Sequence, residues 1–242
     1  MMVNTIDSGT GDGDGSALRV SAMFDAIAGR YDLMNRLMSA GQDGRWRRIA
    51  VEALGMLPGG PLLDVGVGTG DLALALRRRF SGRAIVGVDL SRGMMQVAEQ
   101  KGGDLRLAEA DVLHLPFADR TFAAVGTAFT VRNVADLSAA LREVRRVLMP
   151  GGRFACLEIT RPRDGVLARL FNLYFHEAVP RAGGLIAGSP RAYRYLPASV
   201  DRFVSGAELA TAMRAVGFSA VRMRRFWPGA VTLHLGMRTE WR

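Results

Sequence analysis

The chain has 242 residues, 49% of them apolar and 23% charged, which suits one soluble α/β domain with a sizeable core. No apolar run approaches the roughly 20 residues that a membrane-spanning helix needs, and no export leader is expected. A single cysteine, Cys156, excludes an intrachain disulfide and suits a cytoplasmic location.

The formal charge is +9, and all but one of the 32 basic residues are arginine, Lys101 being the exception. That bias fits codon usage in a GC-rich genome. The excess of base over acid has three readings: a solvated surface, contact with nucleic acid, or contact with anionic lipid.

Residues 1–16 are rich in Gly, Asp, Ser and Thr and are read as a disordered tail. A single domain is expected over 17–242, opening with a helical cap over 17–60. Leu18 to Met38 carries Val20, Met23, Phe24, Ile27, Tyr31 and Met34 at helical spacing, and Trp46 to Leu57 reads as a further helix. From residue 61 strands and helices alternate. The spacing predicts strands at Pro61–Val65, Ala84–Asp89, Asp104–Ala108, Phe122–Thr127 and Arg153–Ile159, with helices at Asp71–Phe80, Ser91–Lys101 and Val134–Leu148 between them. Such alternation implies a parallel sheet covered by helices on both faces, with ligands at the carboxyl ends of the strands. Residues 161–200 read as a mostly helical insertion. A helix at Gly206–Val216 then leads to Phe218–Phe226 and Val231–Arg238, a closing hairpin around Trp227-Pro228-Gly229.

The chemistry begins in Asp64-Val65-Gly66-Val67-Gly68-Thr69-Gly70. A dinucleotide fingerprint starting at Gly66 needs a glycine where Asp71 stands, and no Gly-Lys-Ser/Thr follows, so neither NAD nor a phosphate loop fits. An acid in the first turn of the following helix also repels a pyrophosphate there. Asp64 and Asp71, flanking the loop, suit a positively charged ligand, and S-adenosylmethionine carries a sulfonium and an α-ammonium. Asp89, ending the second strand, can accept from both ribose hydroxyls, a role that by itself would equally suit NAD. Asp111, after the third, can accept from an adenine amino group. Taken alone, a glycine-rich turn is also an ordinary tight bend.

The ordered set of this loop, Asp89, Asp111 and Leu148-Met149-Pro150-Gly151-Gly152 resembles the class I methyltransferases. That resemblance implies a Rossmann-like α/β fold: a mostly parallel seven-stranded sheet, helices on both faces and a C-terminal antiparallel hairpin. Tyr31-Asp32-Leu33-Met34-Asn35, Arg132-Asn133-Val134 and Ala192-Tyr193-Arg194-Tyr195-Leu196 narrow it. With them the chain is similar, from about Val20 to Gly236, to the quinone-biosynthesis C-methyltransferases. These methylate demethylmenaquinone or the ubiquinone ring precursor.

The resemblance implies cofactor contacts at Asp64, Gly66, Gly68, Thr69, Gly70, Asp89, Leu90, Asp111 and Val112, with Tyr31 covering the cofactor. It implies an acceptor pocket at Thr130, Tyr174, Tyr193 and Tyr195, although each tyrosine also suits core packing. Two departures stand out. The family has adjacent glycines where this chain has Val67-Gly68, and Ser-Phe-Gly-Leu-Arg-Asn where it has Ala128-Phe129-Thr130-Val131-Arg132-Asn133. The threonine is expected to add bulk near the acceptor.

A ring carbon becomes nucleophilic when an adjacent phenol ionises. Arg132, following the fourth strand, is the first candidate to stabilise that phenolate, unless it is spent on a carboxylate. Asn133 is a candidate to bond a ring oxygen or to cap the next helix. His176 is a candidate base because it titrates near neutrality. His114, His234 and Cys156 read as structural, and no metal site is expected.

The partner implied is a lipophilic quinol with an isoprenoid tail. An apolar entrance formed by the amphipathic N-terminal region and the insertion Val166–Leu196, with Arg45, Arg47 and Arg48, or Arg191 and Arg194, on anionic headgroups, would place a cytoplasmic enzyme peripherally on a membrane. No nucleic-acid partner is expected, because neither an Asn/Asp-Pro-Pro-Tyr motif nor an appended RNA-binding module is visible; a homodimer is left open. The main rival is a methyltransferase for another small aromatic or natural-product acceptor. A cofactor-binding protein without catalysis is the third reading.

Overall fold

A computed structural model describes residues 13–161, 171, 173–181, 190–226 and 229–239. Three helices come first: α1 Gly13–Asp25, α2 Ala28–Met38 and α3 Asp43–Ala53. Then β1 Leu62–Val65, α4 Asp71–Arg79, β2 Ile85–Asp89, α5 Arg92–Gln100 and β3 Leu105–Glu109 alternate. They are followed by β4 Phe122–Ala128, a 3-10 turn Val131–Asn133, α6 Leu137–Val147 and β5 Leu148–Ile159. After a π turn at Tyr174–Ala178 come α7 Pro190–Arg202, α8 Gly206–Ala215, β6 Ser219–Arg225 and β7 Val231–Met237.

Among the described residues, seven strands form one sheet in the order β3-β2-β1-β4-β5-β7-β6. The first five are parallel, and β7 runs antiparallel to both β5 and β6. Order reverses at β1, which pairs with β2 on one side and β4 on the other. The connections therefore leave on opposite faces there and open a crevice at the carboxyl ends of β1 and β4.

The inner strands β1 and β4 are buried on both faces, which is why they read as continuous apolar runs rather than alternating ones. Leu62, Ile85 and Leu157 pack towards α3 and α4 on one face, and Leu63, Phe122 and Phe154 towards α6 and α8 on the other. A third cluster, with Ile27, Met34, Met94, Phe175 and Tyr193, joins α1 and α2 to the late helical segment. It sits over the crevice.

Several boundaries differ from the sequence reading. The single helix expected over Leu18–Met38 is two, broken at Ala26-Ile27, and α1 begins at Gly13, inside the stretch read as a tail; residues 1–12 lie outside those described. The helix expected from Val134 starts at Leu137. Val131–Asn133 forms a 3-10 turn instead, and the Asp136 carboxylate caps the helix by accepting from the Ala139 N–H at 2.9 Å. Asn133 is thus no cap. The fifth strand begins at Leu148, five residues early, with a register shift against β4 across the Pro150-Gly151-Gly152 bend. The hairpin is present, but Trp227 and Pro228 at its tip fall outside the described residues.

Replacing Asp136 with alanine removes the cap that orients the Arg132-bearing turn against α6. We expect a loss of about 1 kcal/mol in unfolding free energy, read from the urea midpoint at unchanged slope.

Candidate active site

The loop after β1 owes its shape to backbone geometry that side chains resist. Gly66 and Gly68 have φ of 70° and 52°. A Cβ on Gly66 would lie 2.2 Å from the Thr130 side chain, so the loop passes directly beneath β4's carboxyl end. A Cβ on Gly68 would meet nothing within 4 Å, because this glycine faces open cleft. The Gly68 N–H donates to the Asp89 carboxylate at 2.8 Å, and the Ser91 N–H donates to its other oxygen at 2.9 Å. One carboxylate thus ties the first loop to the second. Burial raises its pKa, against the pull of those backbone N–H groups.

A cleft of about 580 Å³ opens above these loops. Gly66, Gly68, Thr69, Asp89, Leu90, Asp111, Val112 and Tyr31 all line it, as the sequence predicts. Asp111 accepts the Leu113 N–H at 2.9 Å, an Asx turn that aims the carboxylate. Gly70 does not line the cleft; it caps α4 against Ala98. Asp64 does not line it either. It is 1% exposed, just before the loop, and neither of its oxygens has a hydrogen-bond partner. Burial pushes its carboxyl well above the usual 3.8, while the Arg47 charge and the Ala73 amide only partly oppose this.

The helical cap is fastened across this cleft by polar contacts. Ser21 donates to the Leu90 carbonyl at 2.8 Å, and Asp25 accepts from the Ser91 hydroxyl at 2.6 Å and the Gly93 N–H at 2.8 Å. Thr69 donates to Asp32 on α2 at 2.6 Å. Lys101 bridges Asp32 at 2.5 Å and Asp71 at 2.7 Å. Arg47 on α3 is buried, lines the cleft, pairs with Asp43 at 2.6 Å and lies 5.3 Å from the Phe129 ring centre. It is not available to lipid headgroups, which corrects that expectation.

A second cavity, of about 830 Å³, lies beside the first and shares Phe24, Tyr31, Phe129, Arg132 and Tyr195 with it. Its walls are mainly apolar, from Ile27, Trp46, Ile49, Phe175, Leu196 and Phe226. Phe129 stands between the cavities at φ 64°, a left-handed conformation costly for an aromatic residue, on the order of 1–3 kcal/mol. Its N–H bonds the Leu157 carbonyl at 2.8 Å, and its own carbonyl accepts from Arg132.

Arg132 is itself anchored. Its guanidinium donates to Glu158 at 2.7 Å and to Ser199 at 3.3 Å, with side chains only 3% and 0% exposed for the Arg–Glu pair. Arg132 is therefore paired with a carboxylate, and it also lines both cavities. Asn133 accepts from the Tyr195 hydroxyl at 3.2 Å. Tyr193 and Tyr174 line the second cavity, with Tyr174 donating to the Met38 carbonyl.

Two candidates move. His176 lines neither cavity; it is exposed on the π turn, 3.3 Å from Asp201, so the geometry does not bring it to the junction. Thr130 lines the first cleft and not the second cavity, its hydroxyl directed at the Gly66 and Ala128 carbonyls, so its bulk falls beside the glycine loop. The sequence reading missed Glu158, whose signal was one carboxylate inside the apolar strand Phe154-Ala155-Cys156-Leu157-Glu158-Ile159. It also missed Arg47 as a cleft residue and the Asp32–Lys101 staple.

A glycine loop held by an acid after β2, an acid after β3 and an orphaned carboxylate below suit the adenosine and amino-acid halves of a cationic ligand. Asp89 fits the ribose hydroxyls, Asp111 the adenine amine, and the open face of Gly68 the methionyl chain. This fold and site define a class I methyltransferase that uses S-adenosylmethionine.

Residues 13–238 match the model of the ubiE/COQ5 methyltransferase family. The chain is 47% identical over 221 residues to a demethylmenaquinone methyltransferase of Thermus thermophilus, covering 89% of this chain and 100% of that one. It is 42% identical over 221 residues to a ubiquinone/menaquinone biosynthesis C-methyltransferase UbiE of Desulfotalea psychrophila, covering 90% of each. The chain belongs to the ubiE/COQ5 methyltransferase family. Among solved structures, a SAM-dependent methyltransferase of Thermotoga maritima superposes with a TM-score of 0.66 at 21% identity, over 90% of this chain and 99% of that one. Human N-acetylserotonin methyltransferase in complex with SAM gives 0.62 at 17%, over 91% and 59%. These two share the fold.

The Asp64 carboxyl yields a pH-linked test. Its folded pKa lies above 3.8, so the folded protein holds a proton that the unfolded chain releases. Stability is then lost as pH rises from 3.8 through the folded value. Asp64→Asn should raise the melting temperature of the ligand-free protein at pH 7. That gain should shrink as the pH is lowered towards 3.8, read from the melting temperature across the range.

Proposed function

We propose that this methyltransferase transfers its methyl group to a ring carbon of a polyprenylated quinol, demethylmenaquinol or the ubiquinone ring precursor. The observation that carries the reading is the apolar cavity of about 830 Å³ that meets the cofactor cleft at Phe129, Arg132 and Tyr195. A flat ring fits the junction, and an isoprenoid tail fits walls that offer it few polar partners. The quinone-methylating activity in the names of the two relatives agrees with it.

The bound cofactor supplies an electrophilic methyl on a sulfonium. The chain's own residues then have three tasks. Phe129, held at φ 64° by its bonds to Leu157 and Arg132, fixes the wall across which methyl and carbon must meet. Arg132 turns the positive end of its buried pair with Glu158 towards a ring oxygen and favours the phenolate that makes the carbon nucleophilic. Tyr195, whose pKa burial raises, stays protonated at neutral pH and donates to the Asn133 amide oxygen, which leaves the Asn133 amide N–H to bond a ring oxygen. Closure of the cap keeps water from the methyl donor.

Because Thr130 and Ala128 line the cofactor cleft and not the acceptor cavity, these departures give no reason to prefer a different aromatic acceptor. Purified protein with labelled S-adenosylmethionine should label reduced demethylmenaquinone or a polyprenyl benzoquinol. Label on neither, with transfer to unprenylated phenols, would overturn the reading. Arg132→Ala should lower kcat at least 100-fold while S-adenosylhomocysteine binds within twofold of wild type.

The same reading includes a peripheral membrane position, on the cytoplasmic face where the tail is reached. Leu37 is 51% exposed and lines the acceptor cavity, as does exposed Tyr174, and Leu33 lies one turn before Leu37 on α2. Arg36, Arg45 and Arg48 are exposed near this apolar rim, and Arg194 is exposed on α7, whereas the Arg191 side chain lies outside the described residues. Among the described residues no helix is long and apolar enough to cross a membrane. Leu33→Ser should reduce co-sedimentation with anionic liposomes at low salt, leaving turnover of a short-chain quinol unchanged.

A further inference from the structure

Inside the acceptor cavity, two hydrogen-bond donors are sealed from solvent with no partner. The Tyr193 hydroxyl belongs to a side chain only 3% exposed, and the Asn35 amide nitrogen is likewise buried and unpartnered. Both residues line the apolar cavity, and neither lines the cofactor cleft. A buried, unsatisfied donor costs on the order of 1–3 kcal/mol, so two in one apolar chamber form a cost that a bound oxygen would remove.

The placement is coherent. Asn35 follows Tyr31 by four residues on α2, so both face the same side of the helix. Tyr193, from α7, packs on that helix in the third core cluster. Burial, and then the neighbouring Tyr31, push the Tyr193 hydroxyl up to about 12, so it remains a donor at neutral pH. Tyr31, beside both of them, lines both cavities, as do Arg132 and Tyr195.

We propose that Tyr193 and Asn35 form an oxygen-binding site that holds one of the two ring oxygens of the quinol. This rests on the quinol reading and deepens it. A ring held at both oxygens, one by Arg132 and the other by Tyr193 and Asn35, can present only one edge to the methyl group. The pair is then a specificity device: a ring with a single oxygen leaves donors unpaired and is disfavoured.

The test uses three probes bound anaerobically in the presence of S-adenosylhomocysteine: 2-prenyl-1,4-naphthalenediol and the two prenyl-naphthols that each lack one hydroxyl. Wild type should bind the diol about three- to tenfold more tightly than either naphthol. In Tyr193→Phe and in Asn35→Leu the preference over one of the two naphthols should shrink to within twofold, while the preference over the other persists. Tyr193→Phe should melt no lower than wild type, because the hydroxyl it loses has no partner within the protein. Retention of both preferences in Tyr193→Phe would overturn the site and leave the quinol reading standing. Failure of wild type to bind or methylate any of the three probes would overturn both.

Discussion

The ion pair of Arg132 with Glu158 sits where three parts of the molecule meet: the end of β4, the end of β5 and helix α7. Taking both charges out of water is expensive, and only their mutual attraction and surrounding hydrogen bonds offset it. Glu158 also accepts from the Arg132 backbone N–H at 3.2 Å, and Arg132 donates to Ser199 and to the Phe129 carbonyl. The pair therefore fixes a turn, not just a side chain. Phe129 keeps its left-handed backbone because this network holds it. The wall between the two cavities follows from that conformation.

A second set of polar contacts closes the site from the other side. Ser21, Asp25 and Asp32 reach from the cap to the loops that line the cleft. Each touches a residue within or next to the cofactor-binding loops, so the cap and the cofactor share supports. Opening the cleft for exchange must break contacts that also shape it. This arrangement suits a reaction in which positioning does most of the work and water must be kept away.

What the sequence disclosed was local. Gly66, Gly68, Asp89 and Asp111 were legible because each acts within a few residues of a strand end, and the β–α alternation fixed where those ends fall. Helix starts were less legible. Val134 carries no signal against a helix, and only the 3-10 turn imposed by Glu158 on Arg132 moves the start to Asp136. Glu158 itself was a lone acid in an apolar strand, whose partner lies 26 residues away in sequence. His176 drew notice through its chemistry and lost it through its place. Tyr193 and Asn35 are separated by most of the chain, so their common chamber exists only in the folded protein.

Lys101 bears the only side-chain amine in 242 residues, and it lies between Asp32 of the cap and Asp71 at the start of α4. An amine-directed reagent thus has a single internal target at the seam between cap and body. Acylation there would replace a cation by a neutral amide and leave two carboxylates facing each other across that seam. The arginine-rich composition leaves one lysine in the chain, and it stands at the seam between cap and body.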